Sequence, residues 1–417
     1  MGSTSRHDWR RLLVLYWITS VVEGIGVAQI YAFMPTRLAE VGMSDADIGR
    51  VLGLLFSLFF VAGLPLIPLW GVWADKYSRK AVVIRSALVE AVVFLAVAAS
   101  GAPWQLAVSM VLVGFQLGNS GVMIAAIRDV TPRPRLGLAM GIFASSSPLG
   151  FGLGPAIGAV MIDWLHYSSA AVFTFSAGLS VAVALMLAIW SSEVRPEVVP
   201  TGSTVRLAFG AVRGVFSDRT VRWLFAVSGV VFVGRQMALP YLPLVIHAVE
   251  GTPLVGPGSA GTVAVVLFVS AIFGALLAPL AGWAADRIGF RLVLIVVVAG
   301  SAVSILTMGL APTIAAIAVA ATLQTAFQAG VASMVSGLLA VEVPSERRSA
   351  TLNLIYLPLY FGGIAGPVIA SSLYSSGLDL VFGVAGGVLV GATVMSLFFA
   401  RRVGPAVVPQ PAERLSG

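Results

Sequence analysis

Cysteine is absent from the 417 residues, so disulfides, thiol nucleophiles and thiolate metal centres are excluded at the outset. Histidine is nearly absent as well. The three present, His7, His166 and His247, lie far apart in sequence, and no metal site is expected from them. Charge is scarce: Asp, Glu, Lys and Arg make up 10% of the chain against 58% hydrophobic residues. A soluble domain carries about 25% charged residues, so the balance points to a membrane protein. No nucleophile-base set and no phosphate-cradling loop is legible, and the stretches between apolar runs leave no room for a soluble catalytic domain. Neither an enzyme nor a cofactor is expected.

What is present is a series of apolar runs of about twenty residues. That is the length of an α-helix across a hydrocarbon core of about 30 Å, and twice that of a barrel strand. Read against Gly, Pro and charge, the runs give twelve spans starting near residues 12, 49, 81, 105, 138, 170, 222, 260, 291, 313, 350 and 378. The first run, Leu12 to Phe33, follows Arg6, Arg10 and Arg11. It is too long for a signal peptide's apolar core and lacks a small-residue cleavage site, so it is read as a retained span. A longer connection, Ser191 to Val221, carries Pro196, Pro200 and Gly202. The expected division is therefore 1–190 and 222–402 as two six-span bundles, 191–221 as a cytoplasmic linker and 403–417 as a cytoplasmic tail.

With the amino terminus inside, the 25 Lys and Arg fall on the inner side except Arg37 and Arg50, which fall outside, and Arg235, which falls within a span. The positive-inside rule then places both termini in the cytoplasm. This accounts for the net charge of +7 without a nucleic-acid partner.

The chain repeats itself. Phe115, Gln116 and Gly118 are answered by Phe327, Gln328 and Gly330, Pro132 and Arg135 by Pro344 and Arg347, and Gly150, Gly154 and Pro155 by Gly362, Gly366 and Pro367. Each pair is 212 residues apart, as 328 is from 116. A spacing of half the chain's length means a duplicated domain rather than a solenoid.

The loop after span 2 reads Gly71-Val-Trp-Ala-Asp75-Lys76-Tyr-Ser78-Arg79-Lys80, and the loop after span 8 reads Gly282-Trp-Ala-Ala-Asp286-Arg287-Ile-Gly289-Phe-Arg291. Both resemble the G-x-x-x-D-[RK]-x-G-[RK]-[RK] signature of the major facilitator superfamily, at corresponding places in the two halves. The resemblance covers essentially the whole chain. It implies an all-α membrane protein with twelve transmembrane helices in two pseudo-twofold related six-helix bundles. It also implies that the loop is a gating latch, in which Asp75 and Arg79, with Arg128 and Asp129 at the end of span 4, hold the outward-open state. Solvated topogenic charge is the plainer alternative. Ser78 stands where the signature has Gly, which takes a left-handed turn that Ser reaches only at a cost.

Span 5 carries Gly150-Phe-Gly152-Leu-Gly154-Pro155-Ala-Ile-Gly158, which resembles the G-x-x-x-G-P-x-x-G motif of the superfamily's drug and other proton antiporters. Export is what that likeness implies. Ordinary close helix packing through small residues is the competing explanation. Val113 stands where many of those antiporters carry an Arg in span 4, and Arg235 is the candidate for its electrostatic work.

Glu23, Glu90 and Arg235 fall mid-span in spans 1, 3 and 7, where each costs about 2.5–3.5 kcal/mol to insert. The resemblance puts spans 1, 4, 7 and 10 around a central cavity and span 3 at the periphery. Aligning Pro35 with Pro243 puts Glu23 and Arg235 about one helical turn apart in depth. Glu23 is read as the protonatable coupling site and Arg235 as its partner or as an anchor for an anionic group, with a structural ion pair as the alternative. Glu90 either satisfies itself against span 4 or serves a second proton step. Arg85 is expected to snorkel to the inner surface.

Gln116 and Asn119 sit three apart in span 4, and Gln324 and Gln328 four apart in span 10, so each pair shares a helix face. Duplicated polar faces predict a substrate site at mid-depth between the halves. Gln29 and Tyr31, Gln236 and Tyr241, and Asn353, Tyr356 and Tyr360 would complete it. Hydrogen bonding within each half is the competing use. The leading reading is a plasma-membrane, proton-coupled exporter of amphipathic organic compounds, with a small-molecule substrate, protons and the bilayer as partners and a monomer as the working unit. A sugar or small-metabolite transporter is the runner-up, and a non-transporting receptor on the same fold stays open.

Overall fold

The computed structural model describes residues 8–342 and 357–402 apart from positions 197, 198, 200, 217, 218 and 257. Twelve helices among them are long and apolar enough to cross a membrane. Spans 1 to 6 are Trp9–Glu40, Asp45–Lys76, Arg79–Ala99, Pro103–Val130, Arg133–Trp164 and Ser169–Trp190. Spans 7 to 12 are Arg219–Glu250, Gly261–Ile288, Phe290–Leu310, Ile314–Leu338, Leu357–Ser376 and Leu378–Phe398. The described residues contain no strand.

Local chemistry sets the ends. Asp8 caps span 1 by accepting the N–H groups of Arg10 and Arg11 at 3.1 and 3.4 Å. Pro103 opens span 4 in the first turn, where a missing N–H costs nothing, and Gly251 in the left-handed region closes span 7. Ser78 is extended, at φ −164°, and caps span 3 by accepting the N–H of Ala81 at 2.9 Å. The expected strain at this signature position is therefore not there. The second loop keeps its Gly, and Gly289 uses it, at φ +91°.

The packing repeats six spans later. Span 1 lies on spans 5 and 6, as span 7 lies on spans 11 and 12, and span 3 on spans 4 and 6, as span 9 on spans 10 and 12. The two bundles meet where span 2 crosses span 11 and span 5 crosses span 8, pairs that a twofold exchanges. The glycines of span 5 make its seam with span 1: a Cβ on Gly150 would lie 2.3 Å from Val21 O, one on Gly154 2.4 Å from Ile25 O, and one on Gly158 2.1 Å from the Phe33 ring. In the other bundle Gly362 abuts Phe232 and Val233, and Gly366 abuts Val233 O and Met237 N. Val21 and Val233, like Ile25 and Met237, keep the 212-residue spacing. The span 5 motif is a packing seam in both halves.

An even number of spans puts both chain ends on one face. At the opposite face the bundles are stitched together: Tyr241 Oη donates to Gly49 O at 2.8 Å, Ser371 Oγ to Arg50 O at 2.6 Å, and the N–H groups of Gly258 and Ala260 to Asp163 Oδ1 at 2.9 and 3.3 Å. The closure runs inward past Ser57, which donates to Ile364 O at 2.9 Å, to the edge-on pair Phe60 and Tyr360. Among the described residues the bundles part toward the terminus face. The outer portions Ser146–Ala159 and Gly261–Leu277 pack together, whereas Leu136–Ala144 and Pro279–Ile288 pack against neighbours in their own bundles. The result is a cleft open toward the termini.

The connection between halves contains an unexpected helix, Thr204–Phe216, lying along the Gly63–Lys76 part of span 2. Lys76 Nζ donates to Gly202 O at its start, at 2.7 Å. The tail 403–417 lies outside the described residues.

Candidate functional site

Span 4 is two helices. Pro103–Gln116 ends and Asn119–Val130 begins around Gly118, whose φ of +100° is reached comfortably only by glycine. The break orphans backbone carbonyls at mid-membrane, where water cannot serve them. Span 3 does so instead: Arg85 Nη2 donates to Gln116 O and Leu117 O at 3.2 and 3.3 Å, and Ser86 Oγ to Gln116 O at 2.6 Å. The Arg85 guanidinium stacks on Trp70 of span 2, 3.7 Å from the ring centroid, and Trp70 also packs on Gly118. Arg85 therefore turns to the break, and the expectation that it snorkels to the surface is corrected. Nothing in the sequence but Gly118 marked the break.

Immediately past it, Asn119 Nδ2 donates to Glu23 Oε2 at 3.1 Å. Glu90 is 4% exposed and reaches from span 3 toward span 1, its Oε1 lying 3.2 Å from where a Cβ on Gly26 would stand. Gly26 is one turn from Glu23, so the two acids share one pocket. Ser180 and Gln116 flank Glu90. Glu90 Oε1, Asn119 Oδ1 and Gln116 Nε2 are buried without a hydrogen-bond partner. Among the described residues no basic nitrogen lies within 4.0 Å of either carboxylate. Glu90 is buried and Glu23 half-buried, so two carboxylates this close repel each other, and a proton or a cationic ligand relieves that repulsion.

Arg235 stands apart from this pocket. Its Nη1 donates to Gln236 Oε1 at 3.1 Å, and Gln236 Nε2 in turn reaches Tyr31 Oη at 3.2 Å across the bundle interface. No ion pair joins it to Glu23. The depth expected from the two prolines is also corrected. The glycine seams set the register at 212 residues, and 235 is that far from 23, so Glu23 and Arg235 occupy equivalent positions in the two halves. The same position is acidic in one bundle and basic in the other.

The uncharged polar residues divide between uses. Gln29 is fully buried, donating to Gly154 O at 3.2 Å and accepting from Ser176 Oγ, so it fastens span 1 to spans 5 and 6. Gln324 Oε1 accepts from Ser301 at 2.8 Å within the second bundle. Tyr241 belongs to the closure at the far face. Gln29 and Tyr241 are thereby engaged in structural bonds, a correction to the expected substrate site, whereas Gln324 keeps a buried Nε2 without a partner. Tyr31, on Phe56 at 4.6 Å and near Phe151, and Tyr360, on Phe60, form an aromatic floor above the cleft. Gln328 Oε1 is buried without a partner. Asn353 and Tyr356 lie outside the described residues.

The first signature loop is an ion-pair network. Arg79, 2% exposed, donates to Asp75 Oδ1 at 2.8 Å and to Asp129 Oδ2 at 2.7 Å, and Arg128 reaches Asp129 Oδ1 at 3.3 Å. Glu193 accepts from the Arg79 N–H at 2.9 Å and from Ser78 Oγ, while Lys80 Nζ donates to Ala188 O and Ser191 O. All these groups belong to the first bundle and its exit. The network is complete in this structure, in which the face opposite the termini is shut. Gly71 faces open space, and in the second loop Arg287 stacks on Trp283 at 3.9 Å beside an exposed Asp286.

Residues 16–269 and 257–416 each match the model of the Major Facilitator Superfamily. The chain belongs to that superfamily. It is 26% identical over 398 residues to "Multidrug resistance protein MdtG" of Salmonella typhi, covering 95% of this chain and 96% of the relative. To the protein of the same name from Enterobacter lignolyticus (strain SCF1) it is 25% identical over 405 residues, covering 96% and 95%. A crystal structure of a point mutant of the nucleoside transporter NupG shares the fold at a TM-score of 0.76 and 15% identity, over 94% of this chain and 99% of that one. The protein is a multi-pass membrane transporter of small molecules, not an enzyme.

Proposed function

We propose that this superfamily member exports amphipathic, preferentially cationic organic compounds in exchange for protons, with the Glu23 and Glu90 pair as the coupling site. The observation that carries this reading is the pair itself: a buried carboxylate, Glu90, and a half-buried one, Glu23, in one pocket with no basic partner in ion-pair reach among the described residues. The name of the relatives supports drug efflux. The structural use of Gln29 and Tyr241 leaves the cleft fewer groups for sugar hydroxyls and favours amphipathic cargo. With the terminus face taken as cytoplasmic, as the distribution of Lys and Arg suggests, the structure is inward-open and ready to load cargo from the cell.

Proton entry down a 100 mV potential supplies about 2.3 kcal/mol per charge from the electrical term alone. A proton and a cation competing for the same carboxylates are never bound together, which is the condition for exchange. Arg235 on the other wall repels a cation from its side and steers it to the acids. The working unit is a monomer in the bacterial inner membrane. Proteoliposomes with an interior pH dye test the reading: a lipophilic cation added outside should move protons in the opposite direction, and uptake without any proton movement would remove the exchange.

A further inference from the structure

We infer that Arg85 is a positioning residue for the coupling site: it holds span 4 broken at Gln116–Gly118 so that Asn119 is presented to Glu23. This rests on the proposed role of Glu23, but the clamp has its own geometry. The helix Pro103–Gln116 presents its carbonyl end, the negative end of its dipole, to the break. Arg85 covers that end with one nitrogen shared between two carbonyls, Ser86 takes a third bond, and Trp70 fixes the plane of the guanidinium.

Without those bonds two carbonyls would be left bare in the membrane interior, and the chain would recover them by closing the helix. Span 10 shows the closed alternative. It runs unbroken from Ile314 to Glu342, and at the position equivalent to Arg85 the neighbouring span 9 has Val297, which packs on Gly330 of span 10. Closing span 4 in that way would rotate Asn119 relative to Gln116 and take its amide off Glu23, since residues on either side of a break lose the fixed 100° step of a continuous helix. The break and the Asn119–Glu23 bond therefore stand or fall together.

The charged groups that face Glu23 are few. Span 3 brings Glu90 and Arg85, span 4 brings Arg128 and Asp129 more than two turns below Asn119, and Arg235 lies on span 7. Spans 2 and 5 carry charge only near their ends, with Asp75 and Lys76, Arg133 and Arg135 on the terminus face, and span 6 carries none. A change in the pH profile on altering Arg85 thus has a short list of routes.

Two measurements on the full chain test the inference. Amide hydrogen exchange should slow by about tenfold in the peptide around 117–122 of Arg85→Val, as the helix closes, with the span 10 peptide around 329–334 unchanged. Arg85→Lys, which keeps the charge but not the planar fork, should fall between. In proteoliposomes with tetraphenylphosphonium as probe, Arg85→Val and Asn119→Ala should each move the pH midpoint of uptake by about one unit, and the double variant by no more than either alone. Unchanged exchange in both Arg85 variants, or additive shifts, would overturn the clamp. Wild-type uptake without proton movement would remove the coupling reading instead, and hydrogen exchange would still decide the clamp.

Discussion

Span 4 and span 10 occupy equivalent places in two halves that share every major packing contact, yet one is broken at mid-depth and the other is not. A handful of side chains separates them. Arg85 faces Val297, Glu90 faces Ala302, Asn119 faces Val331 and Glu23 faces Arg235 across the 212-residue spacing. The glycine seams between spans 1 and 5 and between spans 7 and 11 are alike. A scaffold of close helix contacts can therefore be repeated while the polar machinery is concentrated in one copy. Burial of each polar group is costly in a bilayer, so a second set would cost stability without adding a second function.

Replacing the acid tests the asymmetry most severely. Glu23→Gln should reduce substrate-driven proton movement to that of empty vesicles, whereas Arg235→Gln should slow uptake and leave its pH dependence in place. Equal losses of coupling in both would make the halves functionally alike. Gly150→Val and Gly362→Val probe the shared scaffold. Each should lower thermal stability in detergent by about 1–3 kcal/mol, because the new side chain meets backbone on the facing span, while Gly71→Ala, in open space within the helix Gly63–Lys76, should not lower it.

The signature loops differ more than their sequences suggest. Arg79→Gln should destabilise by about 1–3 kcal/mol by stranding Asp75 and Asp129, and Arg287→Gln by about 0.5 kcal/mol, since among the described residues it loses an exposed stack on Trp283. Comparable shifts in melting temperature for the two would contradict the difference between the Arg79 ion pairs and the Arg287 stack. Ser78→Ala, which removes a helix cap, should cost about 1 kcal/mol in the same assay.

Much of the fold was legible. Apolar runs the thickness of a bilayer gave the spans to within a few residues for most of the chain, and the signature loops pointed to the superfamily to which the chain belongs. The site was legible only in part. Glu23 and Glu90 stood out because charge in a span is rare, but span 3 was placed at the periphery, and the approach of Glu90 to Gly26 depends on the absence of a side chain on another helix. The proline alignment misjudged the depth of Arg235, since prolines mark local bends that the two halves need not share.

The order of apolar runs, the duplication, and the scarcity of buried charge follow from composition and spacing, because the bilayer imposes one length and one penalty on every span. Which polar groups meet was decided by packing alone. Gln29 and Gln116 are the same residue type at similar depth, and only the neighbouring helices determine that one braces Gly154 while the other stands beside the buried acid Glu90. Hydrogen bonds reach about 3 Å, a scale set by how helices cross and not by their order along the chain.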